Sequence, residues 1–338
     1  MDIQRKSLRI GAAAIGCALL LRLLCGSLVG NAAQLLGQPS LASWILFFET
    51  GRVIRPAPPQ DATLPEDPVP TNPDLPEPDL PVFSSSDASL VQLHNYCGYS
   101  VDIPAMLQQP LQWDLTGDEP TVLILHTHAT ESYVNTENYP ESSAYRSLDT
   151  NYNVVSVGTY LAQLLEKAGI SVIHDRTLHD KPSYSGAYTQ SREAAQAYLE
   201  QYPSIRLVLD LHRDSIEDSS GQQVAYTLST PRGTAAKLML VMGTDAGGLH
   251  YPNWEENLTL AVKLHAQLEK NNPGLCRPLS FRSSRFNQDL SPGAVLVEMG
   301  SAGNTRQQAL LSAELLAKAI AELAHGTGAA ASTVSSTS

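Results

Sequence analysis

The chain has 338 residues, 43% of them hydrophobic and 17% charged, enough apolar material for one sizeable core with appendages. Its formal net charge is −12, and residues 1–52 hold five Lys/Arg against two acids, so the remainder is more acidic still. Such a body argues against nucleic acid as a partner, because that affinity rests on neutralising phosphates with basic groups.

Ile10–Gly30 is a 21-residue apolar run broken by Arg22 and preceded by Arg5, Lys6 and Arg9. It is long enough to cross a bilayer. The positive-inside rule then puts residue 1 in the cytoplasm and everything after residue 30 outside. A cleaved signal peptide is the rival, less favoured because the run exceeds the usual 7–15-residue core. We expect residues 1–30 to form a cytoplasmic tip and single transmembrane anchor. Residues 31–92 are expected to be an acidic stalk, with ten prolines between Pro56 and Pro81 that keep the chain extended. Cys97 and Cys276 could pair in an oxidising compartment, although two free thiols are as good a reading.

Residues 93–326 alternate strand-like with helix-like segments, and 327–338 read as a frayed tail. Val122–Leu125, Ser171–His174, Ile205–Leu211, Lys237–Met242 and Ala294–Val297 are expected strands. Val154–Lys167, Ser191–Gln201, Glu255–Lys270 and Thr305–His325 are expected helices. This order predicts an α/β domain whose mainly parallel sheet carries helices on both faces. The long polar connection after Leu125, with Tyr133, Tyr139 and Tyr145, is either functional or mobile.

Chemistry-bearing residues fall at the carboxyl ends of three of these strands, where open α/β sheets place their ligands. The first strand runs into His126-Thr-His128-Ala-Thr-Glu131, in which His128 and Glu131 share one side of a helical turn and could converge on a cation. The second strand ends in His212-Arg213-Asp214. The third delivers Glu298. A catalytic zinc commonly has three protein ligands and a water. His128, Glu131 and His212 therefore read as ligands of Zn2+, Glu298 as general base and Arg213 as the group orienting a carboxylate or an oxyanion. His126 stays open as a substitute ligand or as a partner orienting His128. His94, His174, His179, His250, His265 and His325 read as solvated or helix-face residues.

L-I-L-H-T-H-A-T-E-S-Y at 123–133, D-T-N-Y-N-V-V at 149–155, D-L-H-R-D at 210–214 and V-L-V-E-M-G-S-A-G-N at 295–304 resemble the stage II sporulation protein P family. That family comprises membrane-anchored cell-wall hydrolases and is similar to the zinc-dependent N-acetylmuramoyl-L-alanine amidases. The resemblance covers roughly residues 93–325 and puts His128, His212 and Glu298 at the places of the two amidase histidines and the catalytic glutamate. The amidase ligand Glu opens a helix that here begins Thr150-Asn-Tyr-Asn153, so the third ligand falls to Glu131. The resemblance further implies peptidoglycan as substrate, a second endopeptidase activity on cross-links, and action in the space between mother-cell and forespore membranes. It also implies partnership with stage II sporulation proteins D and M in engulfment. Two rivals stand beside it, a metallocarboxypeptidase-like exopeptidase and a non-catalytic wall-binding scaffold.

Overall fold

A computed structural model describes residues 80–136 and 145–328. The expected anchor, most of the stalk, Tyr139 and nearly all of the tail lie outside the described residues. No helix among the described residues is long and apolar enough to cross a membrane.

Among the described residues, nine strands and five α-helices follow in chain order. They are β1 (Leu93–Asn95), α1 (Ile103–Gln108), β2 (Val122–Leu125), α2 (Val154–Lys167), β3 (Val172–His174), α3 (Ala187–Gln201), β4 (Leu207–Asp214), β5 (Thr227–Thr230) and β6 (Gly233–Ala236). Then come β7 (Leu238–Met242), α4 (Trp254–Asn271), β8 (Leu279–Phe281), β9 (Ala294–Ser301) and α5 (Arg306–Glu322). Seven strands make one sheet in the order β1-β8-β7-β9-β4-β2-β3, and β5 with β6 forms a separate hairpin. Every neighbouring pair in the large sheet is parallel except β7 against β9. The sheet is thus two parallel blocks joined antiparallel at one seam. The carboxyl ends of β2, β4 and β9 still share an edge.

The side chains of β2 and β4 show why the sequence takes this form. Val122–Leu125 is buried at all four positions, and β4 is buried from Leu207 through Arg213, so neither strand has a polar face to give to water. One face, with Ile124, Leu209, Leu211, Val295 and Val297, packs the main core against α2, α4 and α5. Asn153 caps α2 by accepting from the Val155 amide at 3.0 Å, and Val157, Leu161 and Leu165 supply its buried stripe. The other face, with Leu123, Leu125, Val208 and Ala294, is covered by α3 through Ala195, Tyr198 and Leu199. That single helix leaves the carboxyl-end part of this face open.

Two boundaries move. Residues 80–92, assigned to the stalk, belong to the folded unit: Phe83 and Val91 are buried in the main core. At the other end Thr327 is buried, and its hydroxyl accepts from the Leu111 amide at 2.8 Å. Proline richness upstream hid a short apolar anchor point. Cys97 and Cys276 are both free. Their placement explains this. β1 and β8 run parallel with Leu93 opposite Leu279, so Cys97 lies past the carboxyl end of one strand and Cys276 before the amino end of the other.

Candidate active-site cleft

Three elements deliver the candidate side chains. β2 ends at Leu125, and the chain turns at once, with the Glu131 amide donating to the His128 carbonyl at 3.0 Å. This single turn puts the two side chains on one side, as the three-residue spacing predicts. β4 brings Asp210 and His212 to the open face, since residues two apart in a strand point the same way. β9 pairs with β4 so that Glu298 stands opposite His212. A bulge after His212 shifts the register before Asp214 meets Ser301, where the strands leave the site.

His128, Glu131, His212 and Glu298 all line one cleft of about 540 Å³. The ring of His128 stacks on Tyr184 at 4.1 Å and meets the His212 ring edge-on at 5.3 Å. His212 Nδ1 lies 3.5 Å from Glu131 Oε2. Its Nε2 is 2.9 Å from Asp210 Oδ1, but out of line for a hydrogen bond. Asp210 is fixed in turn, accepting from the Thr127 amide at 2.8 Å and the Thr127 hydroxyl at 2.6 Å. Asp210 therefore sits where it can orient His212, a role the sequence reading missed although the D-x-H spacing within a strand pointed to it.

Electrostatics separate the two glutamates. Burial opposes the ionised form of Glu131, but His212, Arg213 and His128 outweigh it and hold the carboxyl below its ordinary value. Burial pushes Glu298 up to about 8, with Glu131 and Asp214 adding to the rise. Glu298 Oε2 and His128 Nδ1 are both buried without a hydrogen-bond partner, and such atoms in a native site call for a ligand, a water or an ion.

Whether these residues fit a zinc ion follows from the donors present. Two ligand atoms each about 2.0–2.2 Å from a tetrahedral zinc stand roughly 3.3–3.5 Å apart, which the His212–Glu131 contact matches. The unpartnered Nδ1 of His128 supplies a third donor of the right kind. Among the described residues, however, no group of three or more His, Cys, Asp or Glu is gathered closely enough to form a finished metal site. The donor set fits; its convergence is incomplete.

Arg213 lines the cleft and is tied to neighbouring backbone. Its side chain is buried, Nε donates to the Ser132 carbonyl and Nη2 to the Tyr145 carbonyl, each at 2.7 Å. Its amide donates to Glu131 Oε2 at 3.1 Å. Arg213 thus ties Ser132 and Tyr145, at the two ends of the connection after Glu131, to β4 and steadies Glu131; two of its donors are taken by backbone. Arg146, from the far end of that loop, donates to Asp180 at 2.9 Å and lies over Tyr184 at 4.4 Å. His126 is also placed away from the cleft. It is fully buried, with Nε2 2.8 Å from His174 Nε2 and Nδ1 3.0 Å from the Leu211 carbonyl. It is neither a ligand nor the partner of His128. His174 and His179 are not solvated as expected: His174 packs on His126, and His179 Nε2 contacts Asp175 Oδ2 at 2.8 Å. Tyr133 is core, its hydroxyl donating to the Met299 carbonyl at 3.0 Å.

Fold and cleft together define an α/β protein with two imidazoles and two carboxylates gathered at one end of an open groove. The stage II sporulation protein P family matches residues 77–321, and the chain belongs to that family. It is 30% identical over 223 residues to stage II sporulation protein P of Bacillus subtilis (strain 168), a match covering 62% of this chain and 52% of that protein. The chain thus spans about half the length of that relative. Among solved structures, the N-acetylmuramoyl-L-alanine amidase AmiC2 of Nostoc punctiforme matches at 14% identity with a TM-score of 0.35, over 62% of this chain and 97% of that one. The CwlD amidase from Clostridioides difficile, solved in complex with the GerS lipoprotein, matches at 14% identity with a TM-score of 0.36, over 61% and 94%.

Proposed function

We propose that this chain is a zinc-dependent peptidoglycan hydrolase that cuts the amide bond between N-acetylmuramic acid and the stem peptide. The observation that carries the reading is Glu298, a half-buried residue whose Oε2 is buried and unpartnered, set opposite His212 in the same cleft as His128 and Glu131. His128, Glu131 and His212 would hold the ion, which supplies a Lewis acid for the scissile carbonyl and acidifies the attacking water. Glu298 Oε2, ionised once a neighbouring cation offsets the burial that holds its proton, would accept a proton from the attacking water and return it to the leaving nitrogen. Asp210 keeps the His212 ring in place, while Arg213 and Arg146 hold the loop that carries Glu131. Tyr184, about half exposed, offers an aromatic wall beside His128.

The same reading includes endopeptidase cleavage of cross-links, a role in septal wall degradation and engulfment, and assembly with stage II sporulation proteins D and M. It also includes anchoring by Ile10–Gly30 with the catalytic unit outside the cytoplasm. These rest on membership of the family and on the apolar run in the sequence.

The test is digestion of purified peptidoglycan by the full-length chain, with the released fragments read by mass spectrometry. Free stem peptides beginning with alanine are expected, and both a chelator and Glu298→Gln should abolish their release. Activity indifferent to chelator would remove the zinc reading; cleavage between sugars would remove the amidase.

A further inference from the structure

Beyond the reacting residues the cleft continues along the open sheet face. Met239 stands opposite Glu298 and Val241 opposite Leu296 across the antiparallel seam. Met239, Val241 and Leu296 form an apolar floor against which Phe286 packs. The floor leads to Arg282, which also lines the cleft and directly follows Phe281, the β8 residue paired with Met242. Arg282 is therefore two strands across and about four residues along from Glu298. At roughly 4.8 Å between strands and about 3.3 Å per residue this is about 16 Å between backbones.

Three arginines line this cleft, and they are not equivalent. Arg146 is paired with Asp180, and Arg213 is used on the Ser132 and Tyr145 carbonyls. Asp214, at the reacting end, is neutralised by Arg277 at 2.7 Å. Arg282 is exposed, with its amide donating to the Met242 carbonyl at 2.8 Å and Nε to Ser280 Oγ at 2.8 Å. Its guanidinium lies over the Tyr96 ring at 4.9 Å. Among the described residues no carboxylate lies within ion-pair reach of it. Backbone, Ser280 and Tyr96 thus hold a guanidinium whose two terminal nitrogens are unengaged, at the end of an apolar groove in an acidic protein. A planar fork so held suits bidentate recognition of a carboxylate.

We infer that the groove is a peptide trough in which a carboxylate of an extended, acidic stem peptide docks on Arg282, two or three residues beyond the bond cut beside Glu298. This rests on the hydrolase reading and names the side of the substrate that fixes specificity. An extended chain advances about 3.3–3.6 Å per residue, so two or three residues cover about 7–11 Å, and the side chains of Glu298, of Arg282 and of the substrate residue bearing the carboxylate span the rest of the roughly 16 Å. A terminal carboxylate one residue past the cut, as an exopeptidase requires, falls short of Arg282. The spacing thus disfavours the carboxypeptidase-like rival.

The test uses the full-length chain with muramoyl tripeptides whose carboxyls at the second and third residues are free or amidated. The wild type should prefer the free acids. Arg282→Gln should raise KM for them about tenfold to a hundredfold, the range of a hydrogen bond to a charged group, and should erase the preference. Arg282→Lys should restore part of it. Equal KM values for free and amidated substrates in the wild type, or an equal loss on both in Arg282→Gln, overturns the inference. If the wild type cleaves none of them, the hydrolase reading fails separately, and calorimetric titration of the same tripeptides decides. A carboxylate preference lost in Arg282→Gln then supports the docking role, and no preference overturns it.

Discussion

Arg213→Met distinguishes a loop clamp from a group that acts on substrate. Methionine keeps much of the stem's volume but removes two charge-assisted hydrogen bonds, to the Ser132 and Tyr145 carbonyls, both 2.7 Å long. It also removes a cation 4.0 Å from Glu131 Oε1, leaving Arg146 at 3.9 Å as the other guanidinium beside that oxygen. Hydrogen bonds to a charged group contribute roughly 1.5–3 kcal/mol each, and stranding buried partners adds to the loss. A destabilisation of about 3–5 kcal/mol is expected. For a domain of this size each kcal/mol moves Tm by about 2–4 °C, so the variant should melt roughly 6–20 °C lower, measured by calorimetry with and without chelator. Activity should fall in step with the folded fraction and recover on cooling. A variant with wild-type Tm and a kcat reduced more than a hundredfold would refute the clamp and return Arg213 to the oxyanion role that its position beside His212 suggested.

Three other outcomes follow from the same geometry. Gly158 in α2 lies beneath the His126–His174 pair, where an added Cβ would come within 2.6 Å of His126 and 2.9 Å of His174. Gly158→Ala should therefore cost about 1–3 kcal/mol in denaturant unfolding, and an unchanged midpoint would mean that the rings yield. Asp210→Asn removes the charge beside His212 Nε2 and should weaken zinc binding about 10- to 100-fold in competition with a chromophoric chelator, whereas undiminished affinity would show that Asp210 does not orient the ring. Glu298 keeps its proton in the metal-free fold up to about pH 8, while the unfolded chain loses it near the ordinary 4.5. Its contribution to stability is thus complete below about 4.5 and lost as pH rises through 8. The metal-free Glu298→Gln variant should then gain on the wild type by a few kcal/mol between pH 5 and pH 8, and a pH-independent difference in unfolding free energy would contradict it.

What the sequence makes legible depends on how many residues share one environment. β2 and β9 are apolar on both faces for four residues and β4 for three, so their burial and parallel packing can be read directly from composition. β1 and β8 are three residues each and carry no period, and the β5–β6 hairpin buries only Ala235 and Ala236 fully, too few apolar positions to announce a strand. The seam between β7 and β9 was equally hidden, because the direction of β7 is set by the excursion through β5 and β6 and not by its own residues. Three of the candidate residues were visible for the same reason as their strands, since His128, His212 and Glu298 lie within three positions of a buried apolar run that fixes their place, whereas Glu131 lies six beyond Leu125 and was legible only through its spacing from His128. His126 shows the limit of that rule. A two-residue spacing would put it beside His128 if the strand continued, but β2 stops at Leu125 and the turn sends the two rings to opposite sides of the sheet. Arg213 shows another. A cation next to a reactive histidine has the same appearance whether its donors face substrate or backbone. The deciding partners, Ser132 and Tyr145, come from a loop about 70–80 residues away whose return path no local pattern encodes. The same holds for Arg282, which reaches the cleft only because the sheet reverses direction between Glu298 and Met239. The side of the cleft that carries Arg282 is thus a product of topology, whereas the side that carries His128, His212 and Glu298 follows from strand composition.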